Sequence, residues 1–418
     1  MENYKIKGGN RLSGKVSISG GKNAVLPCMS AALLTEEECI LKNVPSLSDV
    51  KMLNNMMEFS GALTEFDIDK EIIKIKSNNL QNKEIPYEMA NKMRASFLMA
   101  GPLLARTGRA RISMPGGCAI GSRPIDLHIK GFEMLGAKVK QGWGYVEAFS
   151  SKGLRGTEIY LDFPSVGATE NIMMAACLAK GRSTIKNAAA EPEIVELADF
   201  LRKMGAKIFG EGSDTIVIEG VKSLRGATYK IIPDRIEAGT FMIAAAITGG
   251  DIEICNIIPE HLAPVTAKLK EAGAIIKEGR DSIILKVPGK LKPVDVRTLP
   301  YPGFPTDMQA QMTALMTQAQ GTSVITETVF ENRFLHVGEL MRMGAHIKVE
   351  GRSAVVEGKE RLTGASVSAT DLRAGAALVI ASLAAEGETT IMNVEHIERG
   401  YANLNKKLLN LGANITKE

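Results

Sequence analysis

The sequence predicts an α/β protein in which one strand–helix–strand–helix–strand–strand unit is written six times. Three observations predict it. A Gly-Ala pair recurs at Gly61, Gly136, Gly205, Gly273, Gly344 and Gly412, at intervals of 75, 69, 68, 71 and 68 residues. In the same phase runs an alanine- and methionine-rich segment, apolar almost all round, at 26–34, 95–105, 171–179, 239–247, 308–319 and 372–384. A Gly-x-x-x-Ile-x-Asn stretch follows it as Gly181-Arg-Ser-Thr-Ile-Lys-Asn187, with looser copies ending at Asn256 and Asn393. A fixed period near 70 over the whole chain means a repeat architecture. At 418 residues the chain also exceeds what one hydrophobic core usually serves.

Each element has its own signal. A Leu-x-Gly strand opens several units (Leu12-Ser-Gly14, Leu154-Arg-Gly156, Leu224-Arg-Gly226, Leu362-Thr-Gly364). The apolar helix comes next, and a helix apolar on all sides is a buried one. The Gly-x-x-x-Ile-x-Asn strand leads to an amphipathic helix, such as Phe200-Leu-Arg-Lys-Met204. The Gly-Ala glycine then reads as a left-handed helix end. β-type residues follow, as in Lys138-Val-Lys140 and Ile275-Ile-Lys277. Three units per half would place buried helices inside and strands outside.

Composition narrows the function. Net charge is +4, from 51 basic and 47 acidic residues that are interspersed. Nucleic-acid binding would gather Lys and Arg on one face, so no nucleic-acid partner is expected. Five widely spaced cysteines (28, 39, 118, 177, 255) without a C-x-x-C pair fit a reduced, cytoplasmic protein. The N-terminal Met-Glu-Asn-Tyr-Lys-Ile-Lys lacks the apolar core of a signal peptide. The longest apolar stretch, 374–385, is too short to span a bilayer, so no membrane partner is expected either. Gly9 to Lys15 matches a P-loop, but Val16 stands where magnesium would need Ser or Thr. The five histidines (128, 261, 336, 346, 396) show no metal-ligand spacing, and none is read as lying at a helix start with arginine partners.

Six units set where chemistry can sit, because each brings two helix N-termini whose unpaired N–H groups favour anions. The first position carries Lys22-Asn23, Arg94, Ser165-Val166-Gly167, Asp234-Arg235, Asp307, then Asp371 with Arg373. The second carries Cys118 and Arg123, then Arg333, then Arg399. Cys118 stands out. It lies in Pro115-Gly-Gly-Cys-Ala-Ile-Gly-Ser-Arg-Pro124, where glycines free the backbone and an arginine follows five residues on. Pro124 suits the first turn of a helix. Such surroundings lower a cysteine pKa. The same ten residues also read as a Gly-rich surface turn that happens to hold a cysteine. Thr306-Asp-Met-Gln309 reads as a capping box, its helix start favouring ionised Asp307.

Taken together, Gly21-Lys-Asn-Ala24, Met93-Arg-Ala-Ser96, Pro115 to Arg123, Gly167-Ala-Thr-Glu-Asn171, Pro305-Thr-Asp-Met-Gln-Ala-Gln311, Glu331-Asn-Arg333, Thr370-Asp-Leu-Arg373 and Arg399-Gly-Tyr401 resemble the enolpyruvyl transferases along essentially the whole chain. The resemblance implies an inside-out α/β barrel pair with three repeats in each of two domains. One is discontinuous, 1–20 with 232–418. The other, 21–231, carries the Cys118 loop, and the active site lies in the cleft between them. It implies transfer of the enolpyruvyl group of phosphoenolpyruvate to the 3′-hydroxyl of UDP-N-acetylglucosamine, with release of phosphate and no metal or cofactor. Matched by motif, Lys22, Arg123 and Arg399 bind phosphoenolpyruvate, and Asn23, Asp307 and Val329 meet the sugar. Arg123, Pro124, Ile125, Asp126 and Leu127, with Ser165, Val166 and Gly167, hold the uridine and diphosphate. Arg94, Arg333, Asp371 and Arg373 complete the substrate residues. Cys118, Asp307, Lys22 and Arg399 are the catalytic set, with the thiol as general acid and Asp307 accepting the hydroxyl proton or orienting the hydroxyl. Some members carry lysine where this chain has Ser48. The thiol loop and Arg123-Pro-Ile-Asp-Leu127 argue against the shikimate-accepting branch. An RNA-end cyclase of similar units would need ATP and a catalytic histidine. Oligomeric state is not legible in the sequence.

Overall fold

In the computed structural model, which describes residues 2–81, 84–90, 93–114, 125–142, 144–359 and 361–418, backbone geometry follows the repeated glycines. Gly61, Gly136, Gly205, Gly273, Gly344 and Gly412 all hold φ between +90° and +102°. Each lies two residues beyond a helix and two before a strand. A side chain is strained in that conformation, so glycine turns the chain there at least cost. The alanine after each glycine is only 3–7% exposed, because the new strand starts under the helix it has just left.

The Leu-x-Gly glycines have a different reason. A Cβ on Gly156, Gly226 or Gly364 would stand 2.3 Å from the carbonyl oxygen of Arg182, Glu38 or Glu388. Those carbonyls lie on or beside the strand that runs parallel to the Leu-x-Gly segment. Where that neighbouring strand ends, Asn43, Asn187, Asn256 and Asn393 take φ of 52–60°. Their amides donate back to Ile231, Leu161 and Ile18 carbonyls and to the Ser368 hydroxyl, at 2.6–2.8 Å. Asparagine tolerates the left-handed region and closes the turn with its own side chain. Asn43 follows Cys39–Lys42 and belongs with the other three, although its sequence lacks the leading glycine.

Among the described residues the strands form five four-stranded sheets and one three-stranded sheet. In Glu158–Tyr160, Arg182–Lys186, Thr215–Glu219 and Lys207–Phe209 the first pair is parallel and the next two pairs antiparallel. Tyr4–Lys7 lies antiparallel between Glu388–Met392 and Asn414–Lys417, with Ile6 opposite Thr389 and Ile415. Ser13–Ser17 is a strand paired with Asp251–Cys255, so the P-loop-like Gly9 to Lys15 leads into a sheet and cradles no phosphate as a P-loop would. Contacts divide the chain into two compact units: residues 2–19 with Pro233–Glu418, and the described residues from 20 to 232.

The fold is mixed α/β, and its helices form the core of each unit. Every residue of Gln309–Met316 is buried, as is every residue of Arg235–Ile247 after the first. Strands alternate instead, with Ile252 and Ile254 inward and Asp251 outward. Two of these helices start earlier than apolarity alone marks: Val166–Ala176 against 171–179, and Arg235–Ile247 against 239–247. Their first turns mix small, polar and charged residues (Gly167 and Thr169; Arg235 and Glu237), which hides them from a hydrophobic pattern, and candidate residues lie there. No helix among the described residues is long and apolar enough to cross a membrane.

Close to where the second unit ends, a buried acid holds the chain. Glu196, 3% exposed, accepts from the Tyr229 hydroxyl at 3.0 Å and from the Ile232 N–H at 2.9 Å. Burial pushes its carboxyl up to about 7, against the pull of those two hydrogen bonds. An unfolded glutamate titrates near 4.3, so this group's contribution is fully present below that pH and is lost as pH rises through about 7. Glu196→Gln cannot ionise, and it keeps the shape: its oxygen can accept from the Ile232 N–H while its amide donates to the Tyr229 oxygen. Between pH 5 and 8 the wild type is expected to lose roughly 3 kcal/mol relative to the Gln variant. Denaturant melts at both pH values measure it, and parallel pH profiles for the two proteins would refute it.

Candidate functional site

On the unit containing Pro233–Glu418, the residues meet at Asp307. Asp307 sits in the turn Thr306–Met308, just before the helix Gln309–Met316. Its Oδ1 accepts from Arg333 Nη2 at 2.8 Å, and its Oδ2 from Arg373 Nη2 at 2.8 Å and Nε at 3.2 Å. The two arginine side chains are 4% and 5% exposed, while that of Asp307 is 26% exposed. A carboxylate thus lies over two buried cations and faces outward. Burial would raise its pKa, but Arg373 and Arg333 outweigh that and hold the carboxyl well below the usual range. A carboxylate so stabilised accepts a proton weakly.

The capping box at 306–309 does not form. The Thr306 hydroxyl donates to Glu327 Oε2 at 2.8 Å, and neither helical turn has a side-chain cap there. Asp234 and Asp371 are the true caps, each accepting from two backbone N–H groups at the start of its helix. Capping engages an oxygen of Asp371, whereas Asp307 has no such duty and is left to the arginines. Val329 lies in a turn held by Glu327, whose Oε1 accepts from the Val329 and Phe330 N–H groups and from the Thr298 hydroxyl. Arg399 closes the short helix Glu395–Glu398 and is not at a helix N-terminus, because the next helix, Leu404–Asn410, starts only after left-handed Asn403. His336 opens the helix His336–Arg342 close to Arg333, so one histidine does stand at a helix start beside an arginine. It is 1% exposed, and burial pushes its pKa down to about 4, so it is neutral and enclosed.

On the other unit, Lys22 and Asn23 open the helix Lys22–Ala31, and Lys22 Nζ lies 3.4 Å from Asp49 Oδ2. Asp49 is in the first turn of Ser48–Phe59, whose first residue, Ser48, is exposed. Arg94 opens the turn Arg94–Met99. Ser165 caps Val166–Ala176 through its hydroxyl, which accepts from the Ala168 N–H. Ile125 precedes the helix Asp126–Met134, with Asp126 exposed and Leu127 half-buried. His128 joins these pieces. Asn171 Nδ2 donates to its Nδ1 at 3.0 Å and to the Phe97 carbonyl at 2.7 Å. A Cβ on Gly167 would touch the His128 ring at 3.4 Å. Burial, then the charge of Arg94, push its pKa down to about 3, so it is neutral with the proton on Nε2. Cys118, Arg123 and Pro124 lie outside the described residues.

Comparison with known proteins gives this arrangement a family. The model of EPSP synthase (3-phosphoshikimate 1-carboxyvinyltransferase) matches residues 6–408. The UDP-N-acetylglucosamine 1-carboxyvinyltransferase 1 of Caldanaerobacter subterraneus subsp. tengcongensis is 60% identical over 407 residues, covering 97% of either chain. The UDP-N-acetylglucosamine 1-carboxyvinyltransferase 2 of Carboxydothermus hydrogenoformans is 58% identical over 419 residues, covering 100% of this chain and 99% of its own. This chain belongs to the UDP-N-acetylglucosamine 1-carboxyvinyltransferase branch of the enolpyruvyl transferases.

Solved carboxyvinyltransferase-like structures have the same fold. The enolpyruvyl transferase NikO from Streptomyces tendae aligns with a TM-score of 0.90 at 27% identity, covering 100% of this chain and 99% of its own. An EPSP synthase from Acinetobacter baumannii aligns at 0.77 and 19% identity over the full length of both chains, a likeness of fold alone. In this carboxyvinyltransferase three contributors escaped the sequence reading: Glu327, His128 and Tyr401 as a side chain. Glu327 has local partners in the Val329 and Phe330 N–H groups, but the hydroxyls that fix it, Thr298 and Thr306, lie 29 and 21 residues away. His128 could have been found as the residue after Arg123-Pro-Ile-Asp-Leu127, on the inner side of that helix's first turn.

Proposed function

We propose that this chain transfers the enolpyruvyl group of phosphoenolpyruvate to the 3′-hydroxyl of UDP-N-acetylglucosamine, releasing phosphate, the first committed step of peptidoglycan synthesis. The observation that carries the reading is full-length identity of 60% and 58% to two transferases of that name. The Asp307–Arg333–Arg373 cluster supports it. The donor brings a carboxylate and a phosphate of roughly two charges, which guanidinium groups grip bidentately.

In this reading Lys22, Arg123 and Arg399 hold phosphoenolpyruvate. Asn23, Asp307 and Val329 meet the sugar. Arg123 to Leu127 and Ser165 to Gly167 hold the uridine diphosphate, with Arg94, Arg333, Asp371 and Arg373 around them. The hydroxyl oxygen adds to C2 of the donor while C3 gains a proton from Cys118. Phosphate then leaves from C2 as C3 gives a proton back. Asp307, gripped by two arginines, orients the hydroxyl. Its weak basicity suffices, because the hydroxyl becomes strongly acidic as its oxygen bonds to C2, and the proton released then passes to Asp307. The reaction draws on residues of both units, placed in the cleft that the resemblance implies. Each unit is taken as three repeats of an inside-out barrel, a reading supported by the six left-handed glycines and four left-handed asparagines. The expected location is the cytoplasm.

Phosphate release tests the function directly. It is expected with phosphoenolpyruvate plus UDP-N-acetylglucosamine, and not with phosphoenolpyruvate alone or with shikimate 3-phosphate. Release that follows shikimate 3-phosphate, or that needs no acceptor, overturns the reading.

A further inference from the structure

We propose that Tyr401 is a positioning residue for this reaction: its hydroxyl sets the rotation of the Arg373 guanidinium and so how firmly Asp307 is held. The proposal rests on the reading that Asp307 handles the acceptor hydroxyl. Tyr401 is 1% exposed, and its oxygen lies 2.9 Å from Thr240 Oγ1, 3.1 Å from Arg373 Nη1 and 3.3 Å from Gln311 Nε2. The proton directions follow from counting donors. Thr240 gives its one hydroxyl proton to the Ile236 carbonyl at 2.7 Å, so toward Tyr401 it only accepts. Arginine and the amide nitrogen have only protons to offer. Tyr401 therefore donates to Thr240 and accepts from Arg373, while the second proton of Gln311 Nε2 lies between Tyr401 and Thr240 Oγ1, each at 3.3 Å.

That leaves Arg373 no freedom. The guanidinium is planar, with its donors at fixed angles. With Nη1 on Tyr401, Nη2 and Nε point together at Asp307 Oδ2. Gln311 ties the same network to the backbone, donating to the Asp307 carbonyl at 2.9 Å. Thr240, Gln311, Arg373 and Tyr401 come from four separate segments and are all buried. Gln311 Oε1 is buried without a partner, but every polar atom of Arg373, Tyr401 and Thr240 named here has one, and buried hydrogen bonds of this kind hold their members in place. The arginine is thereby fixed from behind, while the carboxylate in front keeps an open face.

The test is Tyr401→Phe, which removes the hydroxyl and keeps the ring. In ¹⁵N spectra of the unliganded protein, the two Nη signals of Arg373, identified by their loss in Arg373→Lys, are expected to be separate. They are expected to merge in Tyr401→Phe, where Nη1 has lost its anchor and only Asp307 restrains the guanidinium. The catalytic counterpart is a fall in kcat of about tenfold to a hundredfold, the scale of a small misplacement of a reacting group. KM for both substrates should stay within about twofold, since Tyr401 is placed against no substrate. Thr240→Val should act in the same direction by less, and the double variant should match Tyr401→Phe alone, because both act through one guanidinium. Separate Nη signals in Tyr401→Phe accompanied by a lower melting temperature would make the residue merely structural and overturn the proposal. So would merged signals in the wild type, or losses that simply add. A wild type without carboxyvinyl transfer would instead refute the proposed function, while the spectra would still decide the role of Tyr401.

Discussion

Asp307→Asn is expected to lower kcat by roughly 10²–10⁴-fold, the usual loss when a proton-handling carboxylate is removed. It is also expected to lower the melting temperature. The amide keeps one acceptor oxygen and loses the charge, leaving Arg333 and Arg373 buried without their counterion. Removing one partner of a buried ion pair costs on the order of 3–5 kcal/mol, because the remaining charge stays desolvated. Inorganic phosphate at millimolar concentration should return part of the lost melting temperature, since an anion can replace the missing carboxylate between the arginines. The wild-type pair should add stability fully above the unfolded aspartate pKa of about 4 and lose it only as pH falls well below that. Phosphate-release kinetics and thermal melts with and without phosphate check these outcomes. A wild-type kcat would confine Asp307 to a structural role. An unchanged melting temperature would show that the arginine clamp adds nothing to stability.

Alkylation by a small anionic epoxide that resembles phosphoenolpyruvate, such as fosfomycin, is expected to mark Cys118 far ahead of the other four cysteines. Those four are placed to be inert. Burial pushes the thiol pKa up to about 11 for Cys39 and about 12 for Cys177, and well above its ordinary value for Cys28. Cys255 is partly open, yet burial and its hydrogen bond to the Glu253 carboxylate raise it too. The thiolate is the nucleophile, and a thiol titrating near 11 is ionised to only about one part in 10³–10⁴ at neutral pH. UDP-N-acetylglucosamine should quicken the labelling of Cys118, because a bound acceptor favours the state in which the cations gather around the donor. Cys118→Asp should resist the epoxide yet keep activity with an optimum at lower pH, since a carboxylic acid can still supply a proton. Peptide mapping by mass spectrometry decides it. Label on Cys255, or equal labelling with and without the acceptor, would return Cys118 to an ordinary surface turn.

What the sequence determined by itself is the local chemistry of the backbone. Glycine before alanine at six places ends a helix left-handedly, and asparagine after an Ile-x pair closes a strand, because those conformations depend on one residue and its neighbours. The apolar helices were legible for a similar reason, since a helix without a polar face has nowhere to lie except in a core. Lys22, Arg94, Ser165 and Asp371 could be located as helix starts, because their motifs are contiguous. Only the tertiary structure decided which of them act together. Asp307 meets Arg333 across 26 residues and Arg373 across 66, and no local pattern records such a meeting. The same distance explains why Thr306, read as a cap, turned instead to Glu327, and why Arg399, read at a helix start, closes a helix. A charge-bearing side chain takes the strongest partner within reach. Reach is set by how helices from distant segments pack, and that is how Tyr401, Thr240 and Gln311 came to fix one arginine behind one carboxylate.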